Sequence, residues 1–144
     1  MDNSLIDVYR STDYRVRLAQ GGWVSIQVDA ALPVSLHPLI EDRCWAFITA
    51  WNPDSQAQPR AQNRVAQQAL LTALRKLPRT ICIRPGLGVG DAWRETSLFV
   101  VGPNLADIDE LAQQFQQNAY VHGLGNGYAR LRLGSDRPPH GQAG

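Results

Sequence analysis

Between Cys44 and Trp51 the chain reads Cys-Trp-Ala-Phe-Ile-Thr-Ala-Trp, apolar at nearly every position, and it is cut off by Asn52-Pro53. A run this rich in aromatic and β-branched residues, with no polar alternation, suits a strand buried on both faces in the middle of a sheet. Asn-Pro then favours a turn, and Pro59 can open a helix because its missing N–H is no loss in the first turn. From Arg60 to Lys76 the residues Val65, Ala66, Ala69, Leu70, Ala73, Leu74 and Leu77 recur every three or four positions, which predicts a helix with one stripe against that sheet. Arg75, Lys76 and Pro78 mark its end.

The other elements arrange themselves around this pair. Tyr14–Leu18 and Trp23–Val28 alternate across Gly21-Gly22 and predict an N-terminal hairpin. Residues 35–42 suit a short helix despite Pro38. Thr80–Ile83 and Thr96–Val101 read as strands separated by a loop over residues 85–91. Asn104 is a good N-cap, with Asp107 placed as its capping-box partner and Leu105, Ile108, Leu111, Ala112 and Phe115 as the buried face. Residues 119–122 and 128–133 predict a second hairpin turning at Asn126-Gly127. The expectation is an α/β (α+β) domain over residues 1–133. It consists of a single mixed β-sheet of about six or seven strands, two main helices packed on it and hairpins at both ends. Residues 134–144, rich in Pro and Gly, read as a disordered tail.

At 144 residues, 44% hydrophobic and 19% charged, the chain has the size and composition of one globular domain. A net charge of +1 with acids and bases interspersed argues against nucleic acid as the main partner. The N-terminus lacks signal-peptide character, and no run approaches the length of a membrane span, so a cytoplasmic protein is expected. Cys44 and Cys82 fall in strands and are expected as free thiols. His37, His122 and His140 are scattered, so neither a metal nor a cofactor is expected.

Loops leaving buried strands are where such sheets usually place ligands. The Trp51–Ser55 exit, with Asn63 and Arg64 on the following helix, could hold a carboxylate or phosphate near the helix N-terminus, or Asn52 could simply cap the turn. Gly86, Gly88 and Gly90 imitate a dinucleotide loop, but they run into a strand rather than a helix, which fails that test. Glu95 beside Trp93 could act as a general base, accept hydrogen bonds, or pair with an Arg. Gln116, Gln117 and Asn118 end the second helix and could satisfy its last carbonyls.

Together Phe47-Ile-Thr-Ala-Trp-Asn-Pro53, Asn63, Glu95-Thr-Ser97 and Phe115-Gln-Gln-Asn-Ala119, in this order and spacing, resemble the bacterial family catalogued as domain of unknown function 3293. The likeness covers roughly residues 9–133. It implies functional weight at Asn52, Pro53, Asn63, Glu95, Ser97, Gln117 and Asn118, and no activity. The family's Asp-Pro-Asp-like segment before Glu95 is replaced here by Gly88-Val-Gly90-Asp91.

The expected function is binding of a small polar or anionic ligand by Trp51, Asn52, Asn63, Arg64, Glu95, Ser97, Gln117 and Asn118, in a monomer or homodimer. Two alternatives stay open. One is a small hydrolase or transferase with Glu95 as general base, and the other is an interaction module working through a sheet edge.

Overall fold

Strand β3 (Cys44–Ile48) is buried at Trp45, Ala46, Phe47 and Ile48 and has a neighbour on each side. These are β5 (Arg94–Val101) and β6 (Ala119–Leu124), both antiparallel to it. The long helix α3 (Arg60–Lys76) leads from β3 to β4 (Cys82–Val89), which pairs with the far side of β5. Helix α4 (Leu105–Gln114) leads from β5 to β6. Each helical crossover therefore returns the chain in its original direction but skips one strand, and that gap is filled by a strand of the other unit. This is the interleaved β-α-β-β-α-β plan of ferredoxin-like sheets. It corrects the expected mixed sheet: each parallel-directed pair is separated by an antiparallel intruder, so all six pairings of the seven strands are antiparallel.

The structure, a computed structural model, describes residues 3–137. The N-terminal hairpin of β1 (Asp13–Arg17) and β2 (Trp23–Ile26) extends the β4 side, and β7 (Arg130–Leu133) extends the β6 side, giving the order β2-β1-β4-β5-β3-β6-β7. The sheet curls until its two ends meet. Asp29 N–H donates to the Ala129 carbonyl at 2.8 Å, Ala129 N–H donates to Ala30 at 3.0 Å, and Arg130 pairs with Asp29 at 3.0 Å. Inside the curl lie Val16, Ile26, Trp45, Phe47, Phe99 and Val121, joined by Leu36 and by Ile40 of the short helix α2 (His37–Ile40). Outside it, Leu70 and Leu74 of α3 and Ile108, Leu111 and Ala112 of α4 pack on Ala46, Ile48 and Val100.

A helix the sequence did not announce, α1 (Asn3–Ser11), precedes β1 and buries none of its residues fully. It is tied down by its end, where Tyr14 Oη donates to the Tyr9 carbonyl at 2.6 Å and buried Thr12 donates to the Val8 carbonyl.

Residues 85–89 are strand, not the expected loop. Gly86 and Gly88 share one strand face, and a ring lies over each end of the glycine series. A Cβ on Gly86 would meet the Phe47 ring at 2.8 Å, and one on Gly90 would collide with Trp93. The glycines are bare because aromatic side chains occupy the space of their missing ones. Pro85 is tolerated because the pairing of β4 with β1 starts only at Gly86, leaving the proline one residue outside that ladder.

Helix α3 has the expected bounds but a rotated face. Asn63, Gln67, Leu70 and Leu74 are buried, whereas Val65 is 72% exposed. Its N-terminal half thus turns amides inward at the place where β3 ends. The expected capping box at Asn104 and Asp107 is present, and α4 is held at its middle by Asp109. That carboxylate accepts from Arg132 Nε and Nη2, each at 2.8 Å, and from the Tyr120 hydroxyl at 2.6 Å. Of the segment from Gly134, residues Gly134–Asp136 make a 3-10 turn and Arg137 donates to the Gln117 carbonyl at 2.8 Å; residues 138–144 lie outside the described residues.

The glycine face gives a matched pair of tests. Gly86→Ala must displace the buried Phe47 ring and should lose about 1–3 kcal/mol in urea unfolding. Gly88→Ala, whose new Cβ would meet nothing closer than 3.6 Å, should stay within about 1 kcal/mol of the wild type or gain slightly.

Candidate functional site

Beyond Ile48 the chain leaves the sheet through Thr49, Ala50 and Trp51 and then enters left-handed backbone at Asn52, with φ 47° and ψ 69°. Asp54 and Ser55 follow at φ 55° and 59° in a 3-10 turn, Pro53–Ser55. Asn and Asp tolerate this region better than other side chains, but three such residues in four positions persist only when their surroundings fix them.

The surroundings are amides. Buried Asn63 accepts the Asn52 N–H at 2.9 Å through Oδ1 and donates Nδ2 to Asn52 Oδ1, also at 2.9 Å. One carboxamide thus grips both the backbone and the side chain of Asn52. Gln58 completes the clasp by donating its N–H to Asn52 Oδ1 at 3.2 Å and its Nε2 to Asn63 Oδ1 at 2.6 Å. One turn along α3, Gln67 accepts the Ala50 N–H at 2.9 Å. The inward amides of α3 therefore hold the strand exit from beneath.

With Oδ1 occupied, the Asn52 amide can direct only its Nδ2 outward, and it points at Glu95 Oε2 across 3.4 Å. Glu95 is half-buried. Burial pushes its carboxyl above the usual glutamate range, an effect that the Asn52 bond only partly offsets. Ser97, two residues along the same strand face, turns its hydroxyl back to the Glu95 carbonyl at 3.1 Å.

The end of α4 closes the third side. Gln116 has φ 56°, its N–H bonds to the Gln113 carbonyl, and the Gln117 N–H reaches back to Ala112 at 2.8 Å, which is a Schellman ending. The carbonyl of Gln116 then accepts the Asp54 N–H at 2.7 Å. Gln117 Nε2 reaches the Phe115 and Trp51 carbonyls at 3.2 and 3.3 Å, so these amides both finish their helix and bind it to the strand exit. Asn118 donates to Ser55 Oγ at 2.9 Å, and Ser55 in turn meets the Tyr9 hydroxyl at 3.2 Å.

Inside this frame is a cavity of about 140 Å³, reaching from α1 to the β3 and β5 ends. Its walls are Tyr9, Tyr14, Phe47, Trp51 and Trp93, with Glu95, Asn52, Ser97 and Gln117 as polar points. Tyr14 and Phe47 meet edge to face at 5.2 Å. None of the described residues that line it carries a positive charge. Among the described residues no group of three or more His, Cys, Asp or Glu is placed to hold a metal ion.

Of the residues singled out in the sequence, Trp51, Asn52, Glu95, Ser97 and Gln117 line this cavity, and Asn63 stands behind Asn52. Asn118 belongs to the outer Ser55–Tyr9 chain. Arg64 is not turned toward Asn52 as expected. It lies in a separate groove with Arg60 and Arg94, whose floor is the outer face of β4 and β5, and Trp51 borders both spaces. The reason is the rotation of α3: with Asn63 facing the strand exit, its neighbour must face away. Tyr9, Tyr14, Gln58 and the ring of Trp93 were not anticipated. A signal existed for Trp93, since Gly90, three residues earlier in the same turn, left it room, but α1 carried none.

The sequence model of the family described as protein of unknown function (DUF3293) matches residues 48–120, the stretch from the end of β3 into β6 that contains the amide clasp, Glu95 and the end of α4. No curated protein and no solved structure matches the chain.

Asn63→Ala would leave the Asn52 N–H, the Asn52 Oδ1 and the Gln58 amide without their shared partner in a buried place. A loss of about 1–3 kcal/mol in denaturant unfolding is expected, with the secondary structure seen by circular dichroism retained.

Proposed function

The chain belongs to the DUF3293 family, and we propose that it is a binding module for a small polar molecule held in the cavity beside Asn52 and Glu95. The observation that supports this most is the mismatch between how firmly the polar residues are held and how little they use. Asn52 is fixed by three hydrogen bonds to Asn63 and Gln58, yet its outward Nδ2 makes one long contact, and among the described residues the carboxylate it meets takes no second side-chain hydrogen bond. Polar groups oriented in advance within an aromatic hollow are the usual makings of a small-ligand site.

A second reading, a small hydrolase or transferase with Glu95 as general base, draws on the raised carboxyl, since burial of this kind brings a glutamate toward the range useful for proton transfer. Its weakness is the nucleophile: the nearby Ser97 hydroxyl is turned to a carbonyl, not to the carboxylate. A sheet-edge partner has less support, because the Asp29–Ala31 and Tyr128–Arg130 segments already join the two ends of the sheet.

The binding reading is tested by screening small metabolites for thermal stabilisation of the wild type and of Gly88→Leu. Gly88 lines the cavity, and a Cβ there would meet nothing closer than the Trp93 ring at 3.6 Å and the Glu95 carbonyl at 3.9 Å, so the leucine would occupy the hollow. A true ligand at a hundred times its Kd should add about 2.7 kcal/mol to the wild type and nothing to the variant. Equal stabilisation of both proteins by every hit would place binding elsewhere and refute the reading.

A further inference from the structure

Two of the half-buried carboxylates, Asp109 and Glu95, are treated differently by the fold. Asp109 receives two charge-assisted bonds from Arg132 and one from Tyr120, which together outweigh its burial and hold its carboxyl below the usual range. Glu95 receives one amide contact at 3.4 Å, and no Arg, Lys or His of the described residues stands within ion-pair distance of it. Arg137, beside the end of α4, donates to the Gln117 and Asn118 carbonyls. A desolvated carboxylate without a counter-charge is costly unless something positive joins it.

The walls indicate what kind of positive group fits. Tyr9, Tyr14, Trp51 and Trp93 border the same space, and the faces of aromatic rings attract cations, most strongly when water is excluded. A hard metal ion is held mainly by several carboxylate oxygens, and Glu95 is the one carboxylate among the described lining residues. The volume sets the size: an apolar cavity of about 150 Å³ accommodates benzene, so about 140 Å³ suits a comparably compact head group. The opposite charge has a different address, since the guanidinium groups of Arg60, Arg64 and Arg94 are gathered in the neighbouring groove and not here.

Resting on the binding reading above, we propose that the ligand of this cavity is a small organic ammonium ion, its charge set against Glu95 and its alkyl groups against the tyrosine and tryptophan rings. The anionic ligand that the strand exit alone suggested is thereby replaced by a cation. Asn52 is a positioning residue in this arrangement, keeping the carboxylate turned to the hollow.

Trp51 and Trp93 make the test direct. Their fluorescence is titrated with choline, with propylammonium, with acetate, and with the neutral carbon isostere of choline in which a tert-butyl group replaces the trimethylammonium. The wild type should bind an ammonium probe, and the neutral isostere should bind roughly ten-fold more weakly or worse. Acetate should not bind. Glu95→Gln, which keeps the acceptor for Asn52 and should melt cooperatively, should erase the difference between ammonium and isostere. Equal binding of the two by the wild type, or preference for acetate, overturns the ammonium assignment. So does failure of both ammonium probes. If in that case the metabolite screen still yields a hit that Gly88→Leu abolishes, the cavity reading survives without it; if it yields none, both fall.

Discussion

The Asn63 carboxamide grips Asn52 at two points, and most of the candidate site depends on that grip. Asn52 sits in left-handed backbone at the exit of the most buried strand, followed by two more residues of positive φ. Each such residue costs energy of order 1–3 kcal/mol unless its context favours it. The context is the pair of 2.9 Å bonds to a side chain that is itself 2% exposed. Once Asn52 is held, its free Nδ2 has one direction available, toward Glu95. The same clasp explains why α3 turns polar residues inward for its first two turns and apolar ones thereafter.

The hollow in front of Glu95 is made by the opposite strategy, the omission of side chains. Gly86 and Gly88 lower the inner face of β4 so that Phe47 can lie across it, and Gly90 leaves room for Trp93. Seen as a motif, the alternating glycines only imitate a dinucleotide loop. Seen in the sheet, they are a shelf for rings. The residual space takes its character from those rings and from the one carboxylate, and it contains no cation from the described lining. Cavity and core are thus coupled at the level of packing, because Tyr14 and Phe47 line the cavity and also belong to the inner core.

Features that depend on neighbours in the chain were legible in advance. The periodicity of α3, the capping box of α4 and the alternation of β1 and β2 are local, and each was found where the sequence put it. The motif residues Asn52, Asn63, Glu95 and Gln117 also converge, with Asn52 bonded to both Asn63 and Glu95. What escaped was non-local. Helix α1 buries nothing fully on its own and is defined by the contacts of Tyr9 with distant Ser55 and with Tyr14 of the following strand. Strand β4 was hidden by Pro85 and the glycines, whose compatibility with a sheet depends on where β1 stops and where Phe47 lies. Arg64 was assigned to the wrong side because a helix's burial was inferred from its apolar residues, while here two amides decide it.

The central claim is that Glu95 is held as a carboxylate short of a counter-charge in a desolvated hollow. A carbon-13 NMR titration of the Glu95 side-chain carboxyl measures this directly. The account predicts a midpoint above the ordinary glutamate value of about 4.3, moving downward when the ammonium ligand is present. A midpoint at or below that ordinary value in the free protein would mean that Glu95 is already solvated or paired, and would contradict the account.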